Sequence, residues 1–272
     1  CNKERFLQLV HDFIVYDAGI KKTCRHNQFF GIEAAKQRIE NREGGIIWHT
    51  QGSGKSLTMV WLAKWIRENV PDSRVLIVTD RTELDEQIEK VFGGVEEAIY
   101  RTRSGADLIH TLNTTNPWLI CSLVHKFGRQ VDDEEDDVAS SADFIEEMKK
   151  AVPHDFKAKG DLFVFVDECH RTQSGKLHEA MKLILPEAMF IGFTGTPLMK
   201  KDKKKSIEVF GSYIHTYKFN EAVEDGVVLD IRYEARDIDQ RITSQKKVDE
   251  WFEAKTRQLS PLGKTLLKQK WG

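Results

Sequence analysis

Cysteines, long apolar runs and a net charge of either sign are all scarce in this 272-residue sequence. The four cysteines form no CxxC pair and show no histidine spacing typical of a zinc site, which argues against a disulfide framework and against a zinc domain. No apolar run approaches the roughly 18 residues of a membrane span, and no segment has the pattern of a signal peptide. We therefore expect a protein of the reducing cytoplasm.

The charges nearly cancel, since 41 basic and 43 acidic side chains give a formal net charge of -2. No overall field attracts the chain to nucleic acid, so any DNA contact has to be local. One acidic run, residues 132–137, is predicted to be a solvated loop. The alternative is an electrostatic guard that repels misplaced DNA.

Five short apolar runs are typical of strands that are buried on both faces, because none of them alternates polar with apolar residues. They are residues 45–48, 75–79, 118–122, 162–166 and 189–193. Helical periods lie between them, and strands that alternate with helices predict an α/β fold with a mostly parallel sheet flanked by helices.

The core is predicted to occupy residues 31–235, between two helical segments. Residues 1–30 carry Phe6, Leu9, Val10 and Phe13 at helical spacing, which indicates a helix and linker that lead to the core. Residues 236–272 look helical and polar, like a connector. Because the chain starts at a cysteine and stops within a basic helical pattern, we expect a piece of a longer protein or incompletely ordered ends.

The strongest local signal is the segment Trp48–Ser56, which follows an apolar run and precedes a helical period. Its glycines let the backbone close around phosphate, and the N–H groups and dipole at the start of a helix favour an anion. The predicted phosphate loop comprises Thr50, Gly52, Ser53, Gly54, Lys55 and Ser56. Lys55 would reach the β- and γ-phosphates of a nucleotide, and the Ser56 hydroxyl would bind Mg²⁺. His49 stands where the usual GxxxxGK[ST] pattern has its first glycine, and a glycine-rich turn without nucleotide is the alternative.

A second cluster, Asp167 and Glu168, comes directly after the apolar run 162–166. The carboxyl ends of parallel strands share one edge of a sheet, so Asp167 is expected beside the phosphate loop. Asp167 would hold Mg²⁺ through water, and Glu168 would position or deprotonate the water that attacks the γ-phosphate. Taken alone, such a pair is more often a helix N-cap, and a lone histidine such as His170 is more often structural.

A third feature is the turn at Thr194, Gly195, Thr196 and Pro197, which follows the fifth apolar run. The hydroxyls of Thr194 and Thr196 would sense the state of the site and pass it to bound DNA. A plain turn at the end of a strand is the alternative, because Gly-Thr-Pro is good turn chemistry.

In this order the three motifs resemble superfamily 2 helicases and translocases. WHTQGSGKS with DECHR and FTGTP is similar to the motor subunit of type I restriction-modification enzymes. Further segments also resemble that family: Arg25–Gln28, Asp80–Gln87, Leu119–Phe127 and Ala222–Tyr233. Cys169 stands where the family more often has alanine, a residue of similar size, so we expect no functional consequence.

The resemblance implies a RecA-like first motor lobe over residues 31–235, with ATP and Mg²⁺ as cofactors. Gln28 would read the adenine edge, and His170 would join the two threonines in coupling. Nothing after residue 235 looks like the second lobe that supplies an arginine to the transition state, and no nuclease domain is recognisable. The isolated chain is therefore expected to bind ATP weakly and to hydrolyse it poorly. Duplex DNA and separate methylation and specificity subunits are the implied partners.

Contacts with DNA are expected on the phosphate backbone, because a motor must not depend on sequence. Arg81 is the favoured contact because it belongs to a matched segment, and Arg103 is a second candidate. The lysine-rich run 200–205 is more simply a solvated loop. Two alternatives to a type I motor stay open: a catalytically silent nucleotide-binding platform, which would not need Glu168, and the motor of another superfamily 2 helicase or type III restriction subunit.

Overall fold

A computed structural model provides the tertiary structure of most of the chain. It describes residues 2–17, 19–79, 91–94, 98–123, 145–146, 148–154, 156–169, 180–196, 207–208, 210–231, 245–257 and 259–271. Arg81, His170, the acidic run 132–137 and the lysine-rich run 200–205 lie outside the described residues, and so does the whole segment Asp80–Gln87.

Nine strands and seven helices have well-defined bounds within the described residues. The strands are β1 (Ile14–Asp17), β2 (Ile20–Thr23), β3 (Gly45–His49), β4 (Ser73–Thr79), β5 (Tyr100–Arg101), β6 (Leu119–Leu123), β7 (Asp161–Val166), β8 (Met189–Thr194) and β9 (Tyr213–Tyr217). The helices are α1 (Lys3–Asp12), α2 (His26–Glu40), α3 (Lys55–Asn69), α4 (Gly105–Leu112), α5 (Phe219–Glu224), α6 (Gln245–Lys255) and α7 (Pro261–Trp271). None of the described helices is long and apolar enough to cross a membrane.

Seven of the strands form one parallel sheet in the order β5-β6-β4-β7-β8-β3-β9, and β1 and β2 form a separate antiparallel hairpin. The five predicted apolar runs are β3, β4, β6, β7 and β8, so the predicted parallel sheet is confirmed. The edge strand β9 was not predicted because its residues are mostly half-buried and it has no continuous apolar run. The stretch Val227–Tyr233 looks strand-like in the sequence, but its described part, residues 227–231, is not in a strand.

The sheet is covered on both faces, which explains the continuous apolar runs. Alternate strand residues such as Ile47, Ile77 and Phe165 pack with the apolar residues of α2 and α3. Their neighbours along the strands, such as Leu76 and Val164, pack with those of α4 on the other face. Every strand between the edges is therefore fixed from both sides.

Arg74 is a buried cation at the start of β4, and only 2% of its surface is exposed. Its guanidinium donates to five backbone carbonyls: Thr111 O, Leu112 O, Thr114 O, Pro117 O and Lys159 O, at 2.6 to 3.2 Å. Two of these acceptors belong to the last turn of α4, where carbonyls have no partner within the helix. Burial lowers the pKa of Arg74. One side chain thus fastens the end of α4 and two loops to the sheet.

The chain divides into two compact units, Cys1–Leu229 and Asp230–Gly272. The first contains the sheet, the hairpin and helices α1 to α5. The predicted boundary at residue 30 falls inside α2, and Phe13, Val15 and Phe29 belong to the core. The second unit contains α6 and α7, and Lys264 of α7 forms an ion pair with Glu253 of α6 at 2.5 Å.

Candidate functional site

The glycine-rich segment forms a tight loop between the end of β3 at His49 and the start of α3 at Lys55. Gly52 and Gly54 have φ angles of +82° and +89°, a region that L-residues with a Cβ rarely adopt. Gly54 is the N-cap of the 15-residue α3, so the loop leads directly into the positive end of a long helix. Lys55 and Ser56 form the first turn of this helix and are partly exposed. This is the strand-loop-helix geometry of a phosphate-binding loop.

Thr50 and Ser53 hold the loop in shape from the inside. The Ser53 hydroxyl donates to Thr50 O at 2.5 Å, and the Ser53 side chain is fully buried. The Thr50 N–H donates to Tyr217 O of β9 at 2.9 Å. The Ser53 hydroxyl and the Thr50 backbone are thus engaged within the protein, so both residues support the shape of the loop, and their contact with a nucleotide stays a prediction.

Gln28 lies against the far end of the same loop. Its Nε2 donates to Gly54 O at 2.9 Å, and its Oε1 accepts from the Arg25 N–H at 2.8 Å. Only 2% of Gln28 is exposed. Because an amide can donate two hydrogen bonds and accept two, these bonds are compatible with a contact to adenine, and the predicted role of Gln28 stays a prediction.

Asp167 and Glu168 lie immediately beyond the end of β7. The Asp167 N–H donates to Val78 O of β4 at 2.9 Å, which extends the ladder between the strands, and Asp167 is 4% exposed. Glu168 is half-buried and has a φ of +47°, a left-handed conformation that is unfavourable for a residue with a Cβ. Such backbone strain concentrates at functional sites, because only the surrounding structure can hold it.

The turn at Thr194, Gly195 and Thr196 is in contact with the phosphate loop. A Cβ on Gly195 would lie 2.8 Å from Lys55 Nζ and 3.3 Å from the Gln51 nitrogen. Thr194 is fully buried and Thr196 is exposed, and the Thr194 hydroxyl bonds to the Thr196 N–H at 3.3 Å. The structure thus brings the turn after β8 to the predicted phosphate-binding lysine, as the shared edge of parallel strands requires.

Arg103 lies at the other end of the sheet. It follows the edge strand β5, and its exposed side chain adjoins the N-cap of α4. Five strand positions separate β5 from β3, which corresponds to roughly 24 Å at the usual strand spacing. The structure therefore does not bring Arg103 together with the phosphate loop, and its predicted DNA contact would belong to a distant part of the same edge.

His49, in the place of the usual first glycine, is fully buried. Its Nε2 lies 2.9 Å from Nδ1 of His215 in β9, and its Nδ1 lies 3.4 Å from Nδ2 of Asn27 in α2. Burial first, then His215 and Lys55, lower the pKa of His49 to about 3, so the ring is neutral at physiological pH. Sequence reasoning missed Asn27 and His215, although the departure at His49 from the glycine pattern was a visible signal.

A cavity of about 670 Å³ opens at the opposite edge of the sheet. Residues 71–72, 156–158, 160–162 and 184–188 line it, together with Arg42. These residues precede or begin β3, β4, β7 and β8, whereas the phosphate loop follows the end of β3, so the cavity is separate from the candidate nucleotide site. Within the described part of the chain, no group of three or more His, Cys, Asp or Glu side chains is arranged to hold a metal ion. Mg²⁺ that is bound with a nucleotide needs few protein ligands, because phosphates and water supply the others.

Known proteins similar to this chain point to one family. The family model of the SWI2/SNF2 ATPase matches residues 27–264. The putative type I restriction enzyme MjaIXP endonuclease subunit of Methanocaldococcus jannaschii is 32% identical over 255 residues, which are 89% of this chain and 23% of that protein. The type I restriction enzyme HindI endonuclease subunit of Haemophilus influenzae is 30% identical over 262 residues, 85% of this chain and 23% of that protein. This chain thus spans about a quarter of the length of these relatives.

Solved structures show the same fold. A nuclease-deletion mutant of the type ISP restriction-modification enzyme LlaGI, in complex with a DNA substrate mimic, superposes with a TM-score of 0.52 at 14% identity. The match covers 87% of this chain and 22% of that one. The predicted RecA-like fold and the resemblance to type I restriction subunits are both confirmed. The family model matches well over half of the chain, so the chain belongs to the SWI2/SNF2 ATPase family.

Proposed function

We propose that this chain is the ATP-binding first motor lobe of a type I restriction endonuclease subunit, which uses ATP hydrolysis to translocate duplex DNA. The observation that carries the proposal is the approach of the turn at Gly195 to Lys55 within the strand-loop-helix geometry. It joins the predicted sensing turn to the predicted phosphate-binding side chain. The similarity to endonuclease subunits of type I restriction enzymes supports the restriction context.

The loop fits a nucleotide phosphate. The positive φ angles of Gly52 and Gly54 let the backbone turn tightly, and the loop ends at the N-terminus of α3. In our proposal Lys55 neutralises the β- and γ-phosphates, and the Ser56 hydroxyl and the Asp167 carboxylate, partly through water, hold Mg²⁺. When bound, Mg²⁺ supplies charge that stabilises the transferred phosphoryl group. Glu168 orients the attacking water and accepts its proton.

Coupling and DNA contact belong to the remaining predicted residues. Thr194 and Thr196, with His170, would respond to the state of the phosphates and change the position of DNA-facing segments. Arg81 and Arg103 would hold the phosphate backbone of duplex DNA. Because the chain spans about a quarter of its relatives, DNA cleavage by a nuclease domain, the methylation and specificity subunits as partners, and action in the cytoplasm belong to the proposal for the whole protein.

Two variants test the enzyme against the silent platform. Lys55→Ala is expected to abolish MgATP binding measured by calorimetry, because the phosphate charge loses its nearest cation. Glu168→Gln is expected to bind MgATP normally and to lose DNA-stimulated turnover in the full-length polypeptide. Binding without turnover in the unchanged protein would favour the platform, and equal turnover with Glu168→Gln would refute the role of Glu168.

A further inference from the structure

The two ends of the phosphate loop are both attached to the first turn of α2. At the start of the loop, Asn27 Nδ2 lies 3.4 Å from Nδ1 of His49, and at its end Gln28 Nε2 donates to Gly54 O at 2.9 Å. Asn27 and Gln28 are adjacent residues that are 1% and 2% exposed. A shift of this turn would therefore act on both ends of the loop at once.

The orientation of the Asn27 amide sets the direction of the hydrogen bonds of His49. Asn27 donates to Nδ1, so the proton of the neutral ring is on Nε2, and Nε2–H donates to Nδ1 of His215 at 2.9 Å. The Asn27–His49–His215 relay, as we name this series, connects α2, the start of the loop and the edge strand β9. The same strand accepts the Thr50 N–H through Tyr217 O.

The fold makes room for the relay. In strand β3, Ile47 and His49 point to the face covered by α2, and Gly31 of α2 faces the two rings. A Cβ on Gly31 would lie 3.0 Å from Cε1 of His49, 3.1 Å from its Nε2 and 3.6 Å from Nδ1 of His215. The absence of a side chain at Gly31 is thus what allows the two imidazoles to meet under the helix.

From this geometry we propose that His49 and His215 are positioning residues for nucleotide binding. They hold the phosphate loop in a fixed position relative to the first turn of α2, which carries Gln28. Neither histidine touches the nucleotide in this proposal. His49 fixes the direction in which the chain leaves β3, and His215 fixes His49. The inference rests on the proposed function, since it concerns how the same loop binds MgATP.

The test uses three variants of the chain and three readouts, of which thermal melting reports packing. His215→Leu keeps the bulk but removes the acceptor, whereas His215→Asn keeps an acceptor at the place of Nδ1. His110→Leu, at an exposed residue of α4, is the control for loss of a histidine. Calorimetry measures the Kd for MgATP, and the ¹⁵N chemical shifts of the imidazole nitrogens identify the tautomer of His49.

We expect the Nε2–H tautomer of His49 in the unchanged chain, about a tenfold higher Kd in His215→Leu and a Kd within about twofold of the unchanged chain in His215→Asn and in His110→Leu. Recovery of the Kd in His215→Asn indicates positioning. A packing effect is recognised separately, because it lowers the Tm in thermal melting. An Nδ1–H tautomer of His49, or a Kd that is the same in all three variants and the unchanged chain, would overturn the inference. Failure of the unchanged chain to bind MgATP would instead reject the proposed function, and the role of the relay with it.

Discussion

Gly54→Ala is the substitution that most directly tests the loop geometry. Gly54 has a φ of +89°, and a Cβ there would lie 2.6 Å from Nε2 of Gln28. Gln28 cannot easily move away, because it is buried and its amide is bonded at both ends. The alanine would therefore displace Gln28 from Gly54 O as well as strain the backbone.

The two effects have different magnitudes and a matched control separates them. The left-handed conformation costs alanine about 1–2 kcal/mol. Losing the buried bond from Gln28 adds about 1 kcal/mol. Gly19 has a similar φ of +81°, but no described atom lies within 4 Å of its Cβ position, so Gly19→Ala carries only the backbone cost. At about 2–4 °C per kcal/mol, Gly54→Ala should lower the Tm by a few degrees more than Gly19→Ala.

Nucleotide binding distinguishes the two variants more sharply than stability does. We expect the Kd for MgATP to rise about tenfold or more in Gly54→Ala, because the N–H groups of the loop lose their alignment. Gly19→Ala should leave the Kd unchanged. Calorimetry and thermal melting of both proteins provide the comparison. Equal losses of Tm together with equal Kd values would refute the claim that the contact between Gln28 and Gly54 shapes the site.

Three further predictions concern the surroundings of the site. Arg74→Met should lower the free energy of unfolding by about 3–4 kcal/mol in urea denaturation, because buried carbonyls lose their donor. The control Arg67→Met, on the exposed face of α3, should lower it by about 1 kcal/mol or less. The pKa of His49 in the folded protein is lowered to about 3. As the pH falls below about 6.5, the imidazole is therefore protonated in the unfolded state while it stays neutral in the folded state. Stability is thus retained above that pH. Between pH 7.5 and 5.5 the shift of His49 alone should lower the free energy of unfolding by about 1 kcal/mol, a loss absent from a His49→Gln variant. Cys169→Leu should lower the free energy of unfolding by about 1–3 kcal/mol, because the contact with Gly192 leaves space only for a small side chain. Cys169→Ala should keep the ATPase activity of the full-length polypeptide. A Leu variant with the same Tm as the unchanged protein would contradict this packing.

The sequence determined the sheet and the position of the chemistry in it. A continuous apolar run has no polar face to turn to water, so β3, β4, β6, β7 and β8 had to be buried on both sides. Three motifs that follow three such strands then had to share one edge of a parallel sheet. The contact of the turn at Gly195 with Lys55 agrees with that expectation.

The tertiary structure alone decided which distant residues complete the loop. Edge strand β9 has mostly half-buried residues and gives no apolar run, so its place beside β3 could not be predicted from a local pattern. The partnership of His49 with His215 depends on that placement and on the gap above Gly31, and Arg74 finds its carbonyl acceptors only after α4 has packed. Local sequence periodicity indicates which residues of a segment are exposed to solvent and which are buried. The pairing of buried polar groups depends instead on which segments become neighbours, and that follows from the packing of the whole domain.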